Sequence, residues 1–129
     1  MPMPTERSPL GRRIYQLHAE LCKTLSNPIR LEILNLLRDG EKSVGELVAF
    51  TGVRQATISQ HLAVLRQRGV VATRRERVNT LYGIVNPKII KACDIIREVL
   101  FEQIESMEKL AKKGRGEISE NVDASCRLL

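Results

Sequence analysis

Apolar residues recur at helical intervals over most of this chain, with one stretch where the interval shortens to that of a strand. Leu10, Ile14, Leu17, Leu21 and Leu25 step by four and three, which lines one face of a helix and predicts a first helix over Pro9 to Ser26. Asn27-Pro28 restarts the chain, asparagine serving as N-cap and proline at the first helical position, where its missing N–H is no loss. The second helix carries Ile29, Ile33, Leu36 and Leu37 as its buried residues and ends at Gly40. Ser43-Val44-Gly45-Glu46 has the spacing of a capping box and opens a short third helix through Phe50, broken by Thr51-Gly52. A fourth helix, about Arg54 to Arg68, places Ile58, Leu62 and Leu65 on one side and stops at Gly69.

Residues 70–76 and 80–85 read as two strands, with Arg77, Val78 and Asn79 near the turn. Asn86-Pro87 then caps a last helix reaching about Lys113. Its seam of Ile89, Cys93, Ile96, Leu100, Ile104, Met107 and Ala111 is close to heptad spacing, and Glu105–Lys109 and Glu108–Lys112 are favourable i,i+4 pairs. Four helices, a β-hairpin and a fifth helix make a mainly α winged helix-turn-helix, with the third and fourth helices as the helix-turn-helix. The domain is expected over residues 9–113, between a disordered start at residues 1–8 and a flexible tail at residues 114–129. So small a core cannot cover two long terminal helices with broad apolar faces. Pairing of the first and last helices with their copies in a second subunit predicts a homodimer.

Composition narrows the partner. The 129 residues suit one domain, and 43% apolar content is enough for a core. Formal charge is +6 and the isoelectric point about 9.6, which fits an anionic ligand. The charge is concentrated: between Arg54 and Arg77, six arginines (54, 66, 68, 74, 75 and 77) face one acid, Glu76. Aromatic content is 3% without tryptophan, too little for a platform that stacks single-stranded bases. Double-stranded DNA is the expected partner.

The cysteines Cys22, Cys93 and Cys126 are far apart and odd in number. The first residues lack the apolar stretch of a secretory leader, and no apolar run approaches the length of a bilayer. A cytoplasmic chain with reduced thiols and no membrane partner is expected. An enzyme is not: there is no Cys-x-x-Cys, no nucleophile at a diagnostic spacing from His18 or His61, and no glycine-rich phosphate loop.

The stretch LSNPIRLEILNLLRDGEKSVGEL, followed by VRQATISQHLAVLRQRGVVATRRERVNTLYGIVNP, resembles the ArsR/SmtB family of transcriptional repressors over roughly residues 17–100. The pattern S-x-H-L-x-x-L-x-x-x-G, Ser59 to Gly69, is the most specific part. The resemblance implies a dimeric repressor that holds a palindromic operator and releases it on sensing an inducer. A recognition helix meets base edges with its N-terminal residues. Here those are Arg54, Gln55, Thr57, Ser59 and Gln60, glutamine suiting adenine and arginine guanine. His61 and the wing arginines Arg74, Arg75 and Arg77 are expected at phosphates or the minor groove.

The sensor half departs from the family. Its metal-sensing members carry E-L-C-V-C-D-L in the third helix, where this chain has Ser43 and Gly45 at the cysteine positions. Neither can replace a thiolate for a soft ion. The last helix has no histidine for the family's other metal site, and Asp94, Glu98 and Glu102 along one face read as a solvated surface. His18, Cys22 and Cys93 remain as candidate sensor residues. They would act either as a cluster for zinc or another thiophilic ion or as a Cys22–Cys93 disulfide or persulfide bridge. Cysteines that only fill apolar space are the alternative, as are a constitutive repressor and a regulator responding to a small molecule.

Overall fold

The computed structural model describes residues 8–114. The expectations for residues 1–7 and for the tail beyond Gly114, Cys126 among them, lie outside the described residues. The described residues form two compact units, one up to Pro87 and one from Lys88 onward. The first holds α1 (Pro9–Leu25), α2 (Pro28–Leu36), a 3-10 turn (Leu37–Asp39), β1 (Lys42–Ser43), α3 (Val44–Thr51), α4 (Gln55–Gln67), β2 (Val71–Glu76) and β3 (Asn79–Ile84). The second contains α5 (Lys88–Lys113).

Helices α1, α2 and α3 begin where side chains take up exposed N–H groups. Ser8 Oγ accepts from the Gly11 N–H at 2.9 Å, and Asn27 Oδ1 from those of Ile29 and Arg30 at 2.9 and 3.2 Å. Ser43 and Glu46 form the reciprocal capping box, at 3.2 Å from the Glu46 N–H to Ser43 Oγ and 3.1 Å from the Ser43 N–H to Glu46 Oε1. Helix α2 is shorter than its apolar spacing suggests. The backbone tightens at Leu37, so the buried set is Ile33, Leu34 and Leu37, while Ile29 and Leu36 are half-buried.

Ser43 does double duty. Besides capping α3 it belongs to β1, a strand the sequence did not announce because two residues show no alternation. The sheet order is β1-β3-β2, antiparallel throughout. Lys42 and Ser43 pair with Tyr82 and Leu81, and Thr73, Arg74 and Glu76 with Tyr82, Leu81 and Asn79. The last of these pairs leaves a two-residue turn, Arg77-Val78. Arg77 has φ of 57°, the sign required at the first position of such a hairpin turn and usually met by glycine.

The core of this unit is filled by Ile33 and Leu34 from α2, Leu37 from the 3-10 turn, Leu47 from α3, Ile58, Leu62 and Leu65 from α4, and Val70 and Val71 leading into the wing. Each contributes about 1.5–3 kcal/mol of burial. On α1, Leu10, Ile14, Tyr15 and Leu17 are exposed. Helix α5 has Ile90 and Cys93 buried, but Ile95, Ile96, Val99, Leu100, Phe101, Ile104 and Leu110 are exposed.

Candidate nucleic-acid interface

Helix α3 ends on Gly52, whose φ of 72° closes the turn with a 2.8 Å bond from its N–H to the Val48 carbonyl. A side chain at this φ is strained, so glycine serves the turn. Thr51 Oγ1 donates to the Leu47 carbonyl at 2.7 Å and accepts from the Val53 N–H at 3.1 Å. The turn is thereby fixed on both sides before α4 begins. Arg54 is the N-cap of α4, and no side chain bonds to its first-turn N–H groups.

Helix α4 then divides by face. Ile58, Leu62 and Leu65 are fully buried, which orients the helix. The opposite side exposes Gln55, Ala56, Ser59, Gln60, Ala63 and Gln67. Of the residues expected at base edges, Arg54, Gln55, Ser59 and Gln60 are exposed, whereas Thr57 is half-buried at the boundary. Ala56, Ala63 and Gln67 were missed by sequence reasoning, which weighed only polar side chains near the start of the helix. The signal was present in their spacing with Ser59 and Gln60, i, i+3 or i+4, i+7 and i+11. Small side chains along the middle of this face let a groove wall approach closely.

His61 departs from expectation. Arg30 Nε donates to His61 Nδ1 at 3.1 Å, and Arg30 Nη1 donates to the Thr24 carbonyl at 3.0 Å. One guanidinium therefore ties α2 to the end of α1 and to α4. Because Nδ1 accepts, the ring carries its proton on Nε2. Desolvation, reinforced by the Arg30 charge, pushes the His61 pKa below its ordinary value. The ring is half-buried and serves the fold through Nδ1, a role that sequence reasoning did not assign to it. Arg30 was missed because its partners lie far from it in sequence.

The wing separates its arginines by the alternation of the strand. Arg74 shares one face with Glu76, with Leu81 and Gly83 of β3, and with Glu41, which lies opposite Gly83 in the β1–β3 register. Its Nε and Nη2 donate to the Glu41 carboxylate at 3.1 and 2.8 Å, and Nη2 also reaches Glu76 at 3.2 Å. This pairing holds the Glu41 carboxyl below the usual carboxylate range. Arg74 was expected at the polyanion and is instead engaged by two acids of its own chain. Arg75 points to the other face and Arg77 sits at the tip. Both are exposed, and among the described residues no hydrogen bond or ion pair engages either side chain.

Residues 27–73 match the arsR family of bacterial regulatory proteins. Over 88 residues the chain is 43% identical to Rv0081, an HTH-type transcriptional regulator of Mycobacterium tuberculosis, covering 67% of this chain and 77% of that one. This chain belongs to the arsR family. Over 85 residues it is 40% identical to the biofilm growth-associated repressor of Xylella fastidiosa, covering 66% and 75% of the two chains. The crystal structure of Rv0081 superposes with a TM-score of 0.66 at 40% identity, covering 77% of this chain and 96% of that one. The homodimeric winged helix-turn-helix DNA-binding domain of Mb0332 from Mycobacterium bovis superposes with a TM-score of 0.65 at 29% identity, over 79% and 92% of the chains. As an ArsR-family member the protein is a DNA-binding transcription regulator with a winged helix-turn-helix fold.

The candidate sensor residues of this ArsR-family chain differ in access. Cys22 and His18 are exposed on α1, Cys93 is buried on α5, and both cysteines are free thiols. Among the described residues no group of three or more His, Cys, Asp or Glu side chains is arranged to hold a metal ion. Asp94, on the carboxylate face of α5, is ion-paired with Arg97 at 3.0 Å. Among the described residues no helix is long and apolar enough to cross a membrane.

Proposed function

We propose that this ArsR-family protein is a homodimeric repressor that holds a palindromic operator through two copies of α4 and the wing, and releases it when an inducer is sensed. The outward face of α4 carries the reading. It is exposed, polar or small-sided, free of acids, and fixed by three fully buried residues on its reverse. Gln55, Ser59 and Gln60 read base edges with Arg54, while Arg75 and Arg77 meet phosphate or the minor groove. The exposed apolar faces of α1 and α5 support dimerisation through those helices, which would set two recognition helices one DNA turn apart, about 34 Å.

For the sensed signal the reading is thiol chemistry at Cys22 and Cys93, favoured by the exposure of Cys22 to reagents in solution. A repressor that senses nothing is the competing reading. The test is operator binding against a salt series, with the protein exposed in turn to oxidant, persulfide, zinc, arsenite and cadmium. Gln55→Ala should relax base preference at a cost of about 1–3 kcal/mol. Arg75→Gln should weaken operator and random duplex alike and flatten the salt slope by about one. Equal losses on both duplexes for Gln55→Ala would overturn its assignment to base reading. Release by oxidant or persulfide that survives changing both Cys22 and Cys93 to Ser places the switch elsewhere.

A further inference from the structure

We propose that Glu41 tunes the sequence-independent affinity of the DNA interface: it reaches across the bare backbone of Gly83 to hold Arg74, withdrawing one cation of the wing from attraction to phosphate. The inference rests on duplex DNA being the ligand.

The geometry is specific. Glu41 immediately precedes β1, and the β1–β3 register sets it opposite Gly83, while Arg74 lies one strand further on in β2. To join them the Glu41 side chain must cross β3. It does so at the one β3 residue without a side chain. A Cβ built on Gly83 would stand 3.1 Å from Glu41 Cγ and 3.8 Å from Oε2, so any larger residue would crowd the crossing. The φ of Gly83 is not positive, so no backbone requirement explains a glycine here, whereas the passage of Glu41 does. The two carboxylate oxygens then accept from Arg74, Oε2 from Nε at 3.2 Å and Oε1 from Nη2 at 2.8 Å, the fork geometry that orients a guanidinium most firmly. Glu76 adds a second acid at 3.2 Å.

The functional consequence follows from how duplex DNA attracts proteins. Each cation placed on a phosphate releases counterions and strengthens binding to every sequence equally. A wing with Arg74, Arg75 and Arg77 all available would gain affinity for random DNA as much as for an operator. Holding Arg74 on the acid-bearing face leaves Arg75 and Arg77 as the wing's contribution. The share of binding that depends on sequence then rises.

The experiment is a double-mutant cycle of wild type, Glu41→Gln, Arg74→Gln and the double variant. Affinity is measured for an operator duplex and a random duplex between 50 and about 300 mM salt. Both positions are exposed, and thermal melts show that the variants are folded. Glu41→Gln should steepen the salt slope by about 0.9 on both duplexes. It should also raise affinity for the random and the operator duplex alike, roughly three- to tenfold. Arg74→Gln should leave the slope unchanged, and the double variant should match wild type. A flattened slope for Arg74→Gln alone would show that Arg74 leaves Glu41 to bind phosphate, and would overturn the proposal. So would a Glu41→Gln variant with the slope of wild type. A wild-type protein with no salt-dependent DNA binding would instead overturn the proposed function itself.

Discussion

Helices α4 and α5 are both amphipathic, and they meet opposite fates. In α4 the apolar residues Ile58, Leu62 and Leu65 are 0% exposed, so the chain alone satisfies that helix and frees its other face for a ligand. In α5 only Ile90 and Cys93 are buried, while Ile96 and Phe101 are 60% and 65% exposed. A surface of that kind is costly in water unless something covers it. The recognition element is thus finished by its own chain, whereas α5 is a face awaiting a second surface. That division suits a DNA-binding regulator whose contact surface must be held rigid.

The largest effect tests the unfinished side. Replacing Ile96 and Leu100 together by Asp puts charge in the centre of the exposed seam and should reduce the dimer to single chains by sedimentation equilibrium. Operator affinity should fall roughly 10²- to 10⁴-fold, because the second half-site is no longer bound at a high effective concentration. A double variant that remains dimeric sinks the assignment of α5 to the subunit interface.

The finished side should fail differently. Leu62→Ala opens a cavity beneath the recognition helix and should cost about 2–5 kcal/mol in denaturant unfolding. That loss should persist at high protein concentration, since the cavity lies within one chain. A milder change in the seam, Leu100→Ala, should lose stability that raising the concentration restores, by mass action. If both losses respond to concentration alike, the division between a finished and an unfinished helix is wrong.

Much of this was legible in the chain. Periodicity placed α1, α4 and α5 and the strands of the hairpin, because each is long enough to show its spacing. Asn27 and Ser43 marked helix starts through local chemistry that does not depend on the rest of the fold. What was not legible depended on contacts between distant residues. Strand β1 is two residues long and exists only because β3 returns beside it. Arg74 looked like any wing arginine until the register brought Glu41, 33 residues earlier, to its guanidinium. His61 looked like a phosphate ligand until Arg30, 31 residues away, took up its Nδ1. Composition counts cations correctly, but only the fold says which of them are already engaged.

The smallest effect tests that last contact. Of the charged groups described around the His61 ring, Arg30 from α2 contributes to its shift, and that guanidinium also binds the Thr24 carbonyl at the end of α1. Desolvation and the Arg30 charge lower the pKa of His61 in the folded protein below its ordinary value, which is about 6.5. The unfolded chain therefore binds a proton more readily than the folded one. Stability from this contact is complete above pH about 6.5 and is lost as the pH falls below it, through the folded-state value. Protonation removes the Nδ1 acceptor and sets two cations together, loosening α4 from α2. Melting temperatures measured at pH 7.5 and 5.5 should fall further for wild type than for His61→Gln, whose amide oxygen can still accept from Arg30 and does not titrate. Equal shifts in the two proteins would show that the imidazole does not couple proton uptake to the seating of the recognition helix.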